Sequence, residues 1–227
     1  AKLSGGDSSS TLIAELNKKL QGLEQEMQKL LERHREVEDE NKDFANRYLE
    51  IEQENNNLAN LYVASYQLHS TLDFKEVLQI ILEIIINLIG GEMFGILLLD
   101  EKTNELTAVA TEGVEREDIP LIKIGVGIIG GVAKSGDNYF VDEIKPFSKF
   151  NPTVPIVCIP LKIKEHVIGV IAIYKLLEQK PKFSALDYEL FTLLAGHAAT
   201  AIFSSKLYSE SERKLSTIQG FINLLTK

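Results

Sequence analysis

The chain has 227 residues, 44% hydrophobic and 25% charged. That leaves room for one apolar core plus an extension and excludes a wholly disordered, collagenous or membrane-embedded protein. Twenty-four Lys and Arg against 33 Asp and Glu give a formal charge of −9, so the field that draws in nucleic acid or an anionic membrane is missing, and neither is an expected partner.

Cys158, the only cysteine, excludes an internal disulfide and any multi-cysteine metal site, and it fits a reducing, cytoplasmic setting. Residues 1–10 are polar and rich in Gly and Ser, which predicts a linker without a secretory signal. The longest apolar run, Ile80 to Ile89, is broken by Glu83 and Asn87 and falls short of the ~18 residues of a spanning helix. All six prolines lie in the interior, and ten of the fifteen glycines lie between Gly90 and Gly169. Turns therefore belong to the middle, and both ends are free to be long helices.

Over residues 11–62 a seven-residue repeat places Ile13, Leu20, Met27, His34, Asn41, Tyr48, Asn55 and Tyr62 at the first seam position. Leu16, Leu23, Leu30, Val37, Phe44, Ile51 and Leu58 take the fourth. Such a repeat predicts a left-handed coiled coil, about 75 Å long at the rise of an α-helix. In a parallel, in-register pair the flanking charges match as Lys19 with Glu24, Arg33 with Glu38 and Arg47 with Glu52. An antiparallel pair would instead set these glutamates against one another, so a parallel homodimer is expected. Each exposed pair contributes only ~0.2 to 1 kcal/mol, so the charges choose orientation while the seam supplies the binding energy. His34, Asn41 and Asn55 weaken the seam but specify register and a two-stranded state.

Residues 63–205 read as a globular domain. Asp73 with Glu76 signals the start of a helix that runs to about Ile89 and stops at Gly90-Gly91. Six short β-rich runs follow, at Met93–Leu99, Leu106–Thr111, Ile119–Ile124, Asn138–Val141, Ile156–Ile163 and Val167–Leu176. The last two are separated only by a Lys164-Glu165-His166 turn, close to a hairpin, so the sheet is expected to be mainly antiparallel. Ser184-Ala185-Leu186-Asp187 opens a final helix, which continues through a connector at residues 206–227. Leu194, Ala201, Tyr208, Leu215 and Ile222 recur on one face of it and predict a second seam, the first four as dimer contacts.

The ordered set of parts resembles a GAF domain over roughly Leu61 to Tyr208. It comprises the helix Phe74–Ile89, the strand Gly95–Asp100, the segment Gly125 to Gly136, the acidic pair Asp142-Glu143, Ile159-Pro160-Leu161 with Ile168-Gly169-Val170-Ile171, Phe183 to Asp187, and Ala198 to Ile202. The resemblance implies an α+β fold: an antiparallel six-stranded sheet flanked by helices, here preceded by a long parallel coiled-coil helix and followed by an exit helix. It also implies a signalling module that dimerises through terminal helices, with a pocket over the sheet that in some relatives holds cyclic nucleotides, bilins or haem.

Specific chemistry is thinner. Gly125-x-Gly127-x-x-Gly130 matches a dinucleotide fingerprint but lacks the parallel βαβ unit and the acidic residue ~20 positions on. Ser148-Lys149-Phe150-Asn151 only partly follows the cyclic-nucleotide pattern of the resembled family. Cys158 sits within a strand, where a small buried side chain is expected rather than a bilin anchor. One thiol cannot run the internal disulfide of a GAF-type methionine sulfoxide reductase. The four histidines are too scattered for a metal set, and no nucleophile elbow or P-loop is present. No catalytic or metal residue is therefore expected, and no cofactor is named by the sequence.

The expected function is that of a cytoplasmic sensory or regulatory module. It would bind a small-molecule ligand or a signalling protein and pass the signal along its helices, with pocket candidates Ile122, Ile128, Ile129, Tyr139, Phe147, Phe150, Cys158 and Ile173. The alternative is a dimerisation or docking scaffold whose pocket is filled by its own side chains.

Overall fold

The computed structural model describes residues 6–177 and 182–225, the side chains of 6–12, 185, 221 and 223–225 excepted. It divides into two units, residues 1–55 and 56–227. The first belongs to a single helix, α1 (Gly6–Leu68). It starts inside the segment read as a linker, whose first five residues lie outside the described ones. From residue 13 to 55 every side chain in this unit is exposed, including the seam residues Leu23, Leu30 and Phe44. His34 Nδ1 lies 3.7 Å from Glu38 Oε1, one turn on along the same helix.

In the second unit the last turns of α1 bury Leu61, Ala64 and Leu68. The helix α2 (Phe74–Ile84) follows, and its start is set as the sequence predicts: the Asp73 carboxylate accepts from the amides of Lys75 and Glu76, both at 2.9 Å. Its end is wider, a π-helical turn over Ile85–Ile89 that Gly90 stops at φ 74°. The strands are β1 (Gly91–Asp100), β2 (Glu105–Glu112), β3 (Ile122–Lys123), β4 (Tyr139–Phe140), β5 (Val157–Ile163) and β6 (His166–Leu176), with α3 (Gly127–Ser135) between β3 and β4. They form one sheet in the order β3-β2-β1-β6-β5-β4, with antiparallel pairing throughout. The Ile119–Ile124 run yields only the two residues of β3, because a 3₁₀ turn at Arg116–Asp118 and Pro120 hold its first half off the ladder. The β5–β6 hairpin closes on Lys164 and Glu165 between paired Ile163 and His166, with Lys164 at φ 55°.

Alternation along the strands sorts side chains onto two faces. Phe94, Ile96, Leu98, Val157, Ile159, Leu161, Ile171 and Ile173 share a core with α2, the end of α1 and α4 (Ala185–Leu225). Leu97, Leu106, Ala108, Cys158, Val170, Ala172 and Tyr174 face the other way, toward α3. A bulge where Leu161 and Lys162 pair with Gly169 and Val167 skips Ile168 and reverses the parity of β6 at that point.

The start of α4 is fixed by a reciprocal cap. The Ser184 amide donates to Asp187 Oδ2 at 2.7 Å, and the Asp187 amide donates to Ser184 Oγ at 3.2 Å. A stretch of α4 within Leu186–Gly220 reaches a mean hydropathy of 1.2, and half of it is buried inside the domain, which is the pattern of a core helix.

Candidate functional site

Six of the eight candidate pocket residues are placed on or beside the α3 side of the sheet. Ile122 on β3, Ile129 on α3 and Cys158 on β5 are buried together, with Ile128, Tyr139 and Phe150 packed around them. Tyr139 is paired with Cys158 across β4 and β5. Phe147 lies at the rim, 37% exposed. Ile173 belongs to the opposite face: from Val170 to Tyr174 β6 alternates, so Ala172 and Tyr174 point toward α3 while Ile171 and Ile173 enter the helical core.

The centre of this face is filled by the protein itself. Ile129, Val132, Ala133, Cys158, Val170 and Ala172 are all buried. Burial pushes the Cys158 thiol up to about 12, which removes the thiolate a covalent ligand or a redox cycle would use. Burial, and then the neighbouring Cys158, raises the Tyr174 phenol well above its ordinary range. Its hydroxyl donates to the Pro152 carbonyl at 2.9 Å, and its ring meets that of Phe150 edge-on with centroids 5.0 Å apart.

The glycines of Gly125 to Gly130 have a structural use. A side chain at Gly130 would run into the carbonyl of Lys123, so the glycine lets α3 approach the backbone of β3. The Gly125 amide closes the turn by donating to the Gly130 carbonyl at 2.6 Å.

Space remains at the border of the sheet, where residues of both faces meet. A cleft of about 270 Å³ opens between the loop that follows β4 and the end of β6, walled by Ile144 to Lys149, Asn151, Val154, Ile156 and Tyr174 to Leu176. Lys175 Nζ sits 2.5 Å from Glu92 Oε1 and 5.4 Å from the centre of the Phe147 ring. Of the candidate residues only Phe147 lines this cleft. Tyr174, Lys175, Lys145 and Ile144 were not among them. The signal for Tyr174 was the parity of β6 beyond the bulge, whereas Lys145 and Ile144 sit in a loop without periodicity.

The predicted second seam divides. Leu194 and Ala201 are buried within the domain, so their apolar surface is already used, whereas Tyr208, Leu215 and Ile222 are exposed. Where the end of α1 meets α4, Ser65 Oγ lies 3.1 Å from His197 Nδ1, and the His69 and His197 rings meet edge-on with centroids 6.1 Å apart. Partial burial, and then the charge of His69, lowers the His197 pKa. Among the described residues no group of three or more His, Cys, Asp or Glu is arranged to hold a metal.

Several solved structures share this fold. The GAF domain of a phosphoenolpyruvate-protein phosphotransferase from Coxiella burnetii is 17% identical with a TM-score of 0.58, covering 69% of this chain and 98% of that one. A segment of a methyl-accepting chemotaxis protein is 20% identical with a TM-score of 0.52, covering 64% and 98%. A free methionine-R-sulfoxide reductase from Neisseria meningitidis, solved with its substrate, is 19% identical with a TM-score of 0.53, covering 65% and 89%. Among curated proteins no relative matches. The model of the GAF domain family matches residues 71–202, more than half of the chain and the whole stretch from the cap of α2 to the buried part of α4, and the protein belongs to that family.

Proposed function

We propose that this protein is a dimeric signal-transduction module of the cytoplasm, in which a parallel coiled coil built from α1 holds two GAF domains in register. An occupant of each domain would favour one packing of the helices that enter and leave it. The observation that carries this reading is the change in burial along both terminal helices. Leu61, Ala64 and Leu68 near the end of α1, and Leu190, Leu194 and Ile202 in the first half of α4, are core residues. Leu16 to Leu58 on α1, and Tyr208, Leu215 and Ile222 on α4, are exposed apolar positions at heptad spacing. An apolar seam in water is stable only with a partner. A helix with one end in a packed core passes small displacements on, because packed cores switch between discrete arrangements rather than deform continuously. The chemotaxis relative is in keeping with this reading.

Sedimentation equilibrium tests the dimer, and spin labels test its direction. With Lys18→Cys as the labelled site, a parallel pair gives an intermolecular distance of about 20 Å. An antiparallel pair gives one on the order of 50 Å. A monomer at micromolar concentration, or the long distance, would overturn the proposal.

The filled centre of the α3-facing side favours a second reading, a dimerisation and protein-docking scaffold that senses no small molecule. A thermal-shift panel of nucleotides, haem, bilins and metabolites separates the two, since a ligand of the native state raises the melting temperature by linkage. No shift across the panel would select the scaffold.

A further inference from the structure

We infer that the cleft beside Phe147 is a binding site for a small organic anion, a carboxylate or phosphate carried on a flat apolar body. This assignment rests on the sensory reading above and names the ligand class that the module would take.

Charge is the first argument. In a chain of formal charge −9, this cleft is walled by three lysines, Lys145, Lys149 and Lys175, and, among the described residues, by no carboxylate. Lys175 is neutralised from outside the wall by Glu92. Lys145 and Lys149 are exposed, and neither has an ion-pair or hydrogen-bond partner among the described residues, which leaves about two positive charges facing a concave surface. Concavity with low-dielectric walls focuses such a field.

The second argument is the apolar floor. Phe147 lies half open at the rim, with Ile144, Val154, Ile156 and Leu176 around it. A flat ring entering there would replace water on the face of Phe147 while its anionic end reached the two ammoniums. At about 270 Å³ the cleft has room for a single ring with its headgroup.

Construction of the loop is the third. Between β4 and β5 the chain spends sixteen residues, 141–156, without a helix or strand, long for a connection inside a compact domain. It is nevertheless pinned at its far end. Tyr174 holds Pro152 and packs on Phe150, and the Asn151 carboxamide oxygen accepts from the Thr153 amide and hydroxyl at 3.0 and 2.8 Å. The wall from Lys145 to Lys149 is thus presented from an anchored base, as a site built on a loop requires.

The test uses the full chain, with phenyl phosphate and benzoate as anionic probes and benzamide and inorganic phosphate as controls. Amide chemical shifts read the site, and the sedimentation mass is recorded on the same samples. The expected result is saturable movement of amides between residues 144 and 151 and at 174–176 with phenyl phosphate or benzoate. Binding should weaken at least tenfold in Lys149→Glu or Lys145→Glu, weaken in Phe147→Ala, and weaken with added salt. Whichever of the two probes binds more tightly assigns the headgroup.

No movement with either anion, equal binding of benzamide or of inorganic phosphate, or binding unchanged by both charge reversals would overturn the assignment. The variants alter exposed residues, so an unchanged melting temperature confirms that a loss of binding is local. A dimer that binds neither anion retires the cleft and leaves the helical reading standing. A monomer that binds one keeps the cleft and retires the helical reading.

Discussion

The rod and the domain are built from the same kinds of residue and treat them oppositely. In the domain, Phe94, Ile96 and Ile81 are sealed within the chain. In the rod, Leu23 is 64% exposed and Leu30 70%, although both repeat as regularly as any buried position. A globular core completes itself within one chain, whereas a heptad seam offers half an interface and needs another surface to finish it. Leucine content therefore says little about where stability resides; the spacing of the leucines and the absence of a facing element say more.

The sharpest way to break the contrast is to charge the seam. Leu23→Asp combined with Leu30→Asp should reduce the proposed dimer to a monomer at micromolar concentration by sedimentation, with the urea midpoint of the domain unchanged. Coupled loss of both would mean that the two regions share their stability. The converse is Phe94→Ala, which empties the centre of the helical face and should cost about 3 to 5 kcal/mol in urea unfolding while leaving the rod's helical signal in place. A smaller step is Asp73→Ala, which removes the cap of α2 and should cost about 1 kcal/mol, again from the domain alone.

Acid gives a subtler discrimination. The folded pKa of His197 is lowered, so below the unfolded value near 6.5 the unfolded chain holds the extra proton. The stability tied to this group is present above that pH and is lost as pH falls through the folded value. His197→Gln should flatten the pH dependence of the domain's melting temperature as pH falls below 6.5, an effect smaller than the others because the ring is largely solvated. At the quiet end, Cys158 should resist a thiol reagent in the native state and react on unfolding, since its thiol is buried and held at about 12. Reaction in the native state would mean that the face toward α3 opens.

Much of the fold was legible because its signals are local. The cap at Asp73, the stop at Gly90, the two-residue turn at Lys164 and the cap at Ser184 each depend on residues within a turn of one another. Strand extents followed from β-rich runs, and β3 fell short where a 3₁₀ turn and Pro120 intervened. Ile173 was misplaced because a bulge at Ile168 shifts the parity of β6, and the extra residue is visible only once register with β5 is known. Leu194 and Ala201 keep the heptad phase of Tyr208 and Leu215, yet phase along a helix does not reveal which turns a sheet already covers. The cleft was the least legible part. Lys149 and Lys175 are 26 positions apart, and only the pairing of β5 with β6 brings the loop to the strand end.

The two borders of the sheet, β3 and β4, are two residues long each. An unpaired edge normally offers its amides and carbonyls to any extended segment that drifts by, and because β3 covers only Glu105 and Leu106 of β2, the outer border of β2 from Thr107 to Glu112 is where such a segment would pair. Crowded copies that joined sheet to sheet would therefore meet along β2, where the Arg116 side chain already occupies the Val109 carbonyl.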